Sequence, residues 1–260
     1  MRHKRSDGLS ENRAAPADGS GPLPEAGAEA EAEAGAEAEA GAGAVGGTRG
    51  DTVAVAVAEK RALRRALLEA RARLTPEQTA AAAHELSRHA LELTELTGAG
   101  TVAAYVSVGR EPGTRALLDA LRARGVRVLL PVLLPDDDLD WAVYEGPERL
   151  ARAGRGLLEP AGPRLGPGAV READAVLLPG LAVDGRGMRL GRGGGSYDRV
   201  LARLAAAAVP PPLVVLLYAN EVVVRVPEEA HDHPVHAVVT PEGVRRFGGP
   251  AEDRAQPGRP

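Results

Sequence analysis

Residues 189–199 read RLGRGGGSYDR. Glycine fills positions 191, 193, 194 and 195, and Ser196, Tyr197, Asp198 and Arg199 follow. Such a run forgoes side-chain packing and costs backbone entropy. In return, backbone N–H groups can converge on one point and a ligand can approach without meeting a Cβ. An apolar strand pattern precedes the run and a helical pattern follows it, so a helix N-terminus faces the same point and favours an anion. Ser196 is the expected N-cap. Arg189, Arg192 and Arg199 can add charge-assisted bonds. Phosphate suits all of these features. Asp198 would repel a bare phosphate, but it becomes useful if Mg²⁺ bridges the two. The run matches neither GxxxxGK[ST] nor GxGxxG. A flexible glycine-rich surface turn is the plainer alternative.

Three further clusters carry polar chemistry. Only two lysines, Lys4 and Lys60, stand among 32 basic residues. A lysine kept against such a bias hints at a need for a compact ammonium rather than a planar fork. Lys60 and Arg64 share one helix face, and a solvated face is the competing reading. YVSVGREPGT (105–114) carries Glu111 into a loop after a strand, where α/β proteins place their sites; a solvated loop charge is the alternative. His231, Asp232, His233 and His236 hint at a metal tract, but no second His cluster completes a zinc site. Asp232 can instead join Asp198 as a hard oxygen ligand for Mg²⁺.

These residues need a scaffold. The chain has 260 residues, six of them aromatic, so its core is built from Leu, Val and Ala. It contains no cysteine, which removes disulfides and thiolate catalysis. A net charge of −4 gives no sign of nucleic-acid binding. The basic N-terminus lacks an apolar h-region, and no run approaches a membrane span of about 18 residues. A cytoplasmic protein without membrane or nucleic-acid partners is expected, with a monomer as the default.

Residues 1–51 repeat Ala, Glu and Gly with little to bury and are expected to be disordered, as is 248–260. The folded domain is expected over 52–247. A helix is expected over 58–74, with Leu63, Leu67 and Leu74 on one stripe. Thr75, Pro76 and Gln78 form the start of a second helix with a capping box. TVAAYV (101–106), VRVLLPVLL (126–134), LDWAVY (139–144), AVLLPGLAV (175–183), PLVVLLY and HAVVT (236–240) read as strands. TRALLDALRARG and SYDRVLARLAAAA (196–208) read as helices. This alternation predicts a three-layer α/β domain with a largely parallel sheet.

The ordered set K-R-x-x-R, YVSVGREPGT, LLPGLAVDGRGMRLGRGGGSYDR and VPEEAHDHPVHAVVT resembles the 5-formyltetrahydrofolate cyclo-ligases, or 5,10-methenyltetrahydrofolate synthetases, over about 58–243. The long central block is the specific part. The resemblance implies ATP- and Mg²⁺-dependent closure of 5-formyltetrahydrofolate to 5,10-methenyltetrahydrofolate, giving ADP and phosphate. It also implies a fold similar to the NagB/RpiA/CoA-transferase group. By matching position, Lys60, Arg61, Ala62, Leu63 and Arg64 would bind ATP, as would Arg189, Leu190, Gly191, Arg192, Gly193, Gly194, Gly195, Ser196 and Tyr197. Val108, Glu111 and Gly113 would bind the folate, together with Arg192 to Ser196. Asp198 and Asp232 would hold Mg²⁺, and Lys60, Arg192 and Asp198 would serve catalysis. Ser196 stands where the family often has a tyrosine, and Gly113 and His236 stand where it often has an acidic residue. A sugar-phosphate isomerase of similar fold and a non-catalytic nucleotide-binding protein are the competing functions.

Overall fold

Alternating helical and β-branched runs fold as their order suggests. A computed structural model describes residues 49–229 and 232–248, all within one unit, Gly46–Pro260. Of the expected tails, residues 1–48 and 249–260 lie outside the described residues, as does His231.

The chain runs through α1 (Arg49–Ala72), α2 (Pro76–Leu91), β1 (Thr101–Ala103), α3 (Arg115–Ala123), β2 (Arg127–Leu133) and β3 (Leu139–Val143). A hairpin follows, β4 (Leu150–Arg152) and β5 (Leu158–Pro160), then β6 (Ala175–Pro179). A second short hairpin, β7 (Ala182–Val183) and β8 (Arg189–Leu190), leads into the glycine loop and α4 (Ser196–Ala205). The last strands are β9 (Leu213–Leu216), β10 (Ala237–Thr240) and β11 (Gly243–Arg246).

Seven strands form one sheet in the order β11-β10-β9-β6-β1-β2-β3. The five inner strands are parallel, and β3 and β11 pair antiparallel at the edges. From β1 the chain builds outward through β2 and β3, then returns to β6 and builds the other way. The order therefore reverses between β1 and β6, the point where open α/β sheets bind ligands at their strand C-termini.

Buried residues along each strand alternate between two cores. Val102, Leu130, Leu177, Val214 and Val239 meet Leu86 and Leu93 at the α2 side and Leu117 and Leu121 of α3. Ala103, Leu129, Leu178, Val215 and Val238 meet Val200, Leu201 and Leu204 of α4. The three expected layers are present. Each fully buried leucine contributes about 1.5–3 kcal/mol by transfer from water. α1 packs outside this sandwich, where Leu67 meets Leu181, Leu190 and Val226. No helix among the described residues is long and apolar enough to cross a membrane.

The capping box of α2 forms as expected. The Thr75 hydroxyl accepts the Gln78 N–H at 3.3 Å, and Gln78 Oε1 accepts the Thr75 N–H at 2.9 Å. Elsewhere the structure corrects the expectations. α1 starts at Arg49, inside the span expected as tail. The β1 strand of TVAAYV ends at Ala103; the Ala104 N–H still bonds the Leu129 carbonyl at 2.8 Å, and Tyr105 and Val106 line the cleft. AVLLPGLAV breaks at Gly180, whose carbonyl bonds an arginine side chain rather than a neighbouring strand. Ser196 is not the N-cap. Gly195 holds that place at φ +76°, a left-handed conformation that glycine adopts without strain, and no side chain caps the helix.

Candidate active site

Two cavities open at the C-terminal ends of the parallel strands. The larger, about 290 Å³, is an apolar cleft beneath Tyr105 and Val106 after β1, Pro131 and Leu133 of β2, and Pro179 at the end of β6. Leu157 and Leu158 of the β4–β5 hairpin form part of its wall. The smaller, about 180 Å³, is polar and carries Lys60, Arg64, Arg189, Asp198, Glu229 and Asp232. The glycine loop separates them. Arg189, Gly191, Gly193, Gly195 and Asp198 line both.

α1 supplies one side of the polar cavity. Residues four apart share a helix face, so Lys60 and Arg64 both reach it. Lys60 is buried, not solvated. Its Nζ donates to Asp232 Oδ2 at 2.6 Å and to Glu229 Oε2 at 2.7 Å. Burial opposes the ammonium charge, but the two carboxylates outweigh it and hold its pKa above the ordinary lysine value. Arg64 Nε donates to the Gly191 carbonyl at 2.9 Å, docking α1 on the glycine loop. Arg61 and Ala62 point away and are exposed, while Leu63 packs with Leu67 against the Leu181 cluster. Those three line neither cavity.

Arg189 lies between the cavities. Its side chain is 5% exposed. Nη1 donates to the Pro179 carbonyl at 3.1 Å, and Nη2 meets Asp198 Oδ1 at 3.4 Å. Nε is buried without a protein partner. Burial lowers its pKa despite the nearby Asp198, Tyr197 and Asp232. This guanidinium has less compensation than a buried cation needs, which suits an incoming anion.

Arg192 extends from the loop toward the cleft, with Nε 3.4 Å from Glu111 Oε1. Glu111 is 9% exposed in its side chain and also accepts the Val108 N–H at 2.9 Å. The loop carrying both is folded on itself: the Thr114 hydroxyl donates to the Tyr105 carbonyl at 2.8 Å and accepts the Ser107 N–H at 2.9 Å. Tyr105 and Tyr197 line the cleft with hydroxyls that have no protein partner. Burial, then the Glu111 charge, raises the pKa of both phenols, so they stay neutral.

The expected site residues fall into three groups. Lys60, Arg64, Val108, Glu111, Arg189 to Asp198, and Asp232 gather around the two cavities. Arg61, Ala62, Leu63 and Gly113 do not. A Cβ on Gly113 would lie 2.7 Å from Ala83 Cβ, so this glycine serves the close approach of α2. Arg199 lines neither cavity and donates to the Asp136 carbonyl at 2.6 Å.

His231 of the histidine tract lies outside the described residues. Among the described residues no group of three or more His, Asp or Glu converges on one point. His236 Nδ1 accepts the Leu213 N–H at 2.9 Å, so its ring ends the backbone of β9. Glu159 and Glu229 escaped the sequence reading. Glu159 lines the cleft and accepts the Leu133 N–H at 3.0 Å. Glu229 lies within VPEEAHDH, three positions before Asp232, and that spacing was its signal.

The model of the 5-formyltetrahydrofolate cyclo-ligase family matches residues 56–241. A 5-formyltetrahydrofolate cyclo-ligase of Mycolicibacterium smegmatis is 43% identical over 188 residues, covering 70% of this chain and 94% of that protein. The Escherichia coli K12 enzyme of the same name is 32% identical over 173 residues, covering 66% and 94%. Among solved structures, the 5,10-methenyltetrahydrofolate synthetase of Aquifex aeolicus superposes with a TM-score of 0.63 at 28% identity, covering 76% of this chain and 99% of that one. The chain is thus a member of the 5-formyltetrahydrofolate cyclo-ligase family, and so a ligase.

Proposed function

We propose that the protein closes 5-formyltetrahydrofolate to 5,10-methenyltetrahydrofolate with ATP and Mg²⁺, releasing ADP and phosphate. One observation carries the reading: an apolar cleft and a polar cavity meet across a single glycine loop. The cleft suits a flat pterin, and the polar cavity suits a triphosphate. Phosphoryl transfer asks a protein mainly for positioning and electrostatics. In this reading the formyl oxygen takes the terminal phosphoryl group and ADP leaves. N10 of the folate then attacks the formyl carbon, and phosphate departs as the ring closes.

Lys60 and Arg64 would contact the phosphates, exchanging present protein partners for the nucleotide. Arg189 and Arg192 would neutralise charge on the transferring group. Val108 and Glu111 would hold the pterin. Asp198 and Asp232 are hard oxygen donors lining the polar cavity, and as two protein ligands they would hold Mg²⁺ with water and phosphate completing its shell. The ion would neutralise phosphate charge when bound. The reading includes a monomeric, cytoplasmic enzyme. It also includes kinship with the NagB/RpiA/CoA-transferase folds, for which a mostly parallel sheet covered on both faces is the support.

The test is the absorbance of methenyltetrahydrofolate after mixing protein with 5-formyltetrahydrofolate. Product should form only with ATP and Mg²⁺ together. No product, or product without ATP, overturns the proposal.

A further inference from the structure

A second cation of α1 is buried away from both cavities. The Arg71 side chain is 3% exposed and that of Glu221 is 1% exposed. Arg71 Nε donates to Glu221 Oε1 at 2.6 Å, and Nη2 donates to Oε2 at 2.9 Å. Nη2 also donates to the Gly180 carbonyl at 2.7 Å. The guanidinium lies 5.6 Å from the centre of the Tyr218 ring. Glu221 Oε2 accepts the Tyr218 N–H at 2.9 Å, and the Tyr218 hydroxyl donates to the Arg110 carbonyl at 3.3 Å.

These bonds form one chain from α1 to the cleft. At one end is Gly180, a cleft residue. Its neighbour Pro179 gives its carbonyl to Arg189, so two buried arginines hold consecutive carbonyls of the turn that leaves β6. At the other end is Arg110, whose neighbour Glu111 lines the cleft. Desolvation offsets most of the attraction in a buried ion pair, and an apolar pair of similar volume commonly stabilises as well. What the planar fork adds is direction, because several acceptors are fixed at once.

We infer that Arg71, acting through Glu221 and Tyr218, is a positioning residue that sets the Gly180 wall and the Glu111 loop of the cleft relative to α1. Lys60 and Arg64 lie on the same helix, so one rigid element registers the polar cavity against the apolar cleft. The inference deepens the proposed function and rests on it for its kinetic readout.

Two variants test it. Tyr218→Phe removes the bond to Arg110 and keeps the ring and the ion pair. Arg71→Met with Glu221→Leu replaces the pair by apolar side chains and leaves no lone buried charge. Melting temperature, hydrogen exchange of amides 107–111 without substrate, and KM for 5-formyltetrahydrofolate are measured on the full chain. Both variants should stay folded and exchange these amides about tenfold faster. KM for 5-formyltetrahydrofolate should rise about tenfold, with KM for ATP in Tyr218→Phe changed less than about twofold. A merely structural pair predicts wild-type exchange and KM in the double variant. Should that variant fail to fold, Tyr218→Phe decides alone. Unchanged exchange in Tyr218→Phe overturns the inference, and so does faster exchange with unchanged KM. Exchange is read without substrate, so a wild-type protein lacking turnover would refute the proposed reaction while exchange still decides the positioning.

Discussion

Lys60 is enclosed by Asp232 at 2.6 Å and Glu229 at 2.7 Å, a space shaped for a compact ammonium. Arginine keeps the charge but spreads it over a wider planar fork. On a solvated helix face that exchange would cost less than about 0.5 kcal/mol. Here the fork must displace a carboxylate or leave the proposed phosphate position. Lys60→Arg is expected to lower kcat/KM for ATP roughly ten- to a hundredfold, the loss of one charge-assisted bond at about 1.5–3 kcal/mol. Steady-state kinetics with varied ATP checks this, and wild-type values would remove Lys60 from the phosphate site. Asp198→Asn and Asp232→Asn probe the other side of the same cavity. Each keeps shape and removes one charge from the proposed cation site. Both should raise the Mg²⁺ concentration that gives half-maximal rate, and normal Mg²⁺ dependence in both would sink the metal assignment.

Three successive aspartates in the β2–β3 turn each meet one arginine from another element. Asp136 meets Arg199, Asp137 meets Arg155 at 2.8 Å, and Asp138 meets Arg203 at 2.7 Å. Arg199 and Arg203 are one helical turn apart on α4, which begins at the glycine loop, and Arg155 is on the hairpin beside the cleft. The turn therefore ties two walls of the site together, and burial decides which tie matters. Arg203 and Asp138 are 19% and 14% exposed, against 68% and 43% for Arg155 and Asp137. Arg203→Ala should cost about 1.5–3 kcal/mol in urea unfolding, as for a hydrogen bond to a charged group. Arg155→Ala should cost less than about 1 kcal/mol, as for an exposed pair. Equal losses would show that burial is not what sets the value of these ties. None of this clasp was legible in the sequence, where PDDDL reads only as a polar turn. The inner strands, α2 and its cap were legible, because period and capping act over a few residues. The early end of TVAAYV was not, because Tyr105 and Val106 turn to line the cleft rather than extend the strand. Arg71 and Glu221 were not legible either, since partners 150 residues apart leave no local pattern.

Across the whole molecule, carboxylates tie distant segments, and their pKa directions set where the fold yields to pH. Asp184 is fully buried, and its carboxylate accepts N–H groups from Arg186, Met188 and Val226. It fixes the β7–β8 turn that leads to the glycine loop. Burial alone would raise its pKa, but the Arg186 bonds and backbone N–H groups outweigh this and hold it below the ordinary 3.8. Asp138 is lowered in the same way: burial acts against it, and Arg203 and the Leu139 N–H prevail. Glu95, which bonds Arg246 on β11, is lowered from 4.5, again against burial. A carboxylate with a depressed folded pKa gives stability that is complete above its unfolded pKa and is lost as pH falls through the folded value. Lys60 works in the opposite sense. Its raised pKa gives stability that is complete below about 10.4 and is lost only as pH climbs through the folded value. These groups leave the melting temperature level between about pH 5 and pH 9 and make it fall below about pH 4.5, where the first of these carboxylates begins to bind protons in the unfolded chain. Calorimetric scans from pH 8 to pH 3 check the shape. Asp184→Asn removes one titrating group and several strong acceptor contacts, so it should melt lower at pH 7 yet decline less steeply below pH 4.5. An acid limb as steep as that of the wild-type protein would show that Asp184 does not carry this linkage, and that acid lability belongs to the exposed pairs instead.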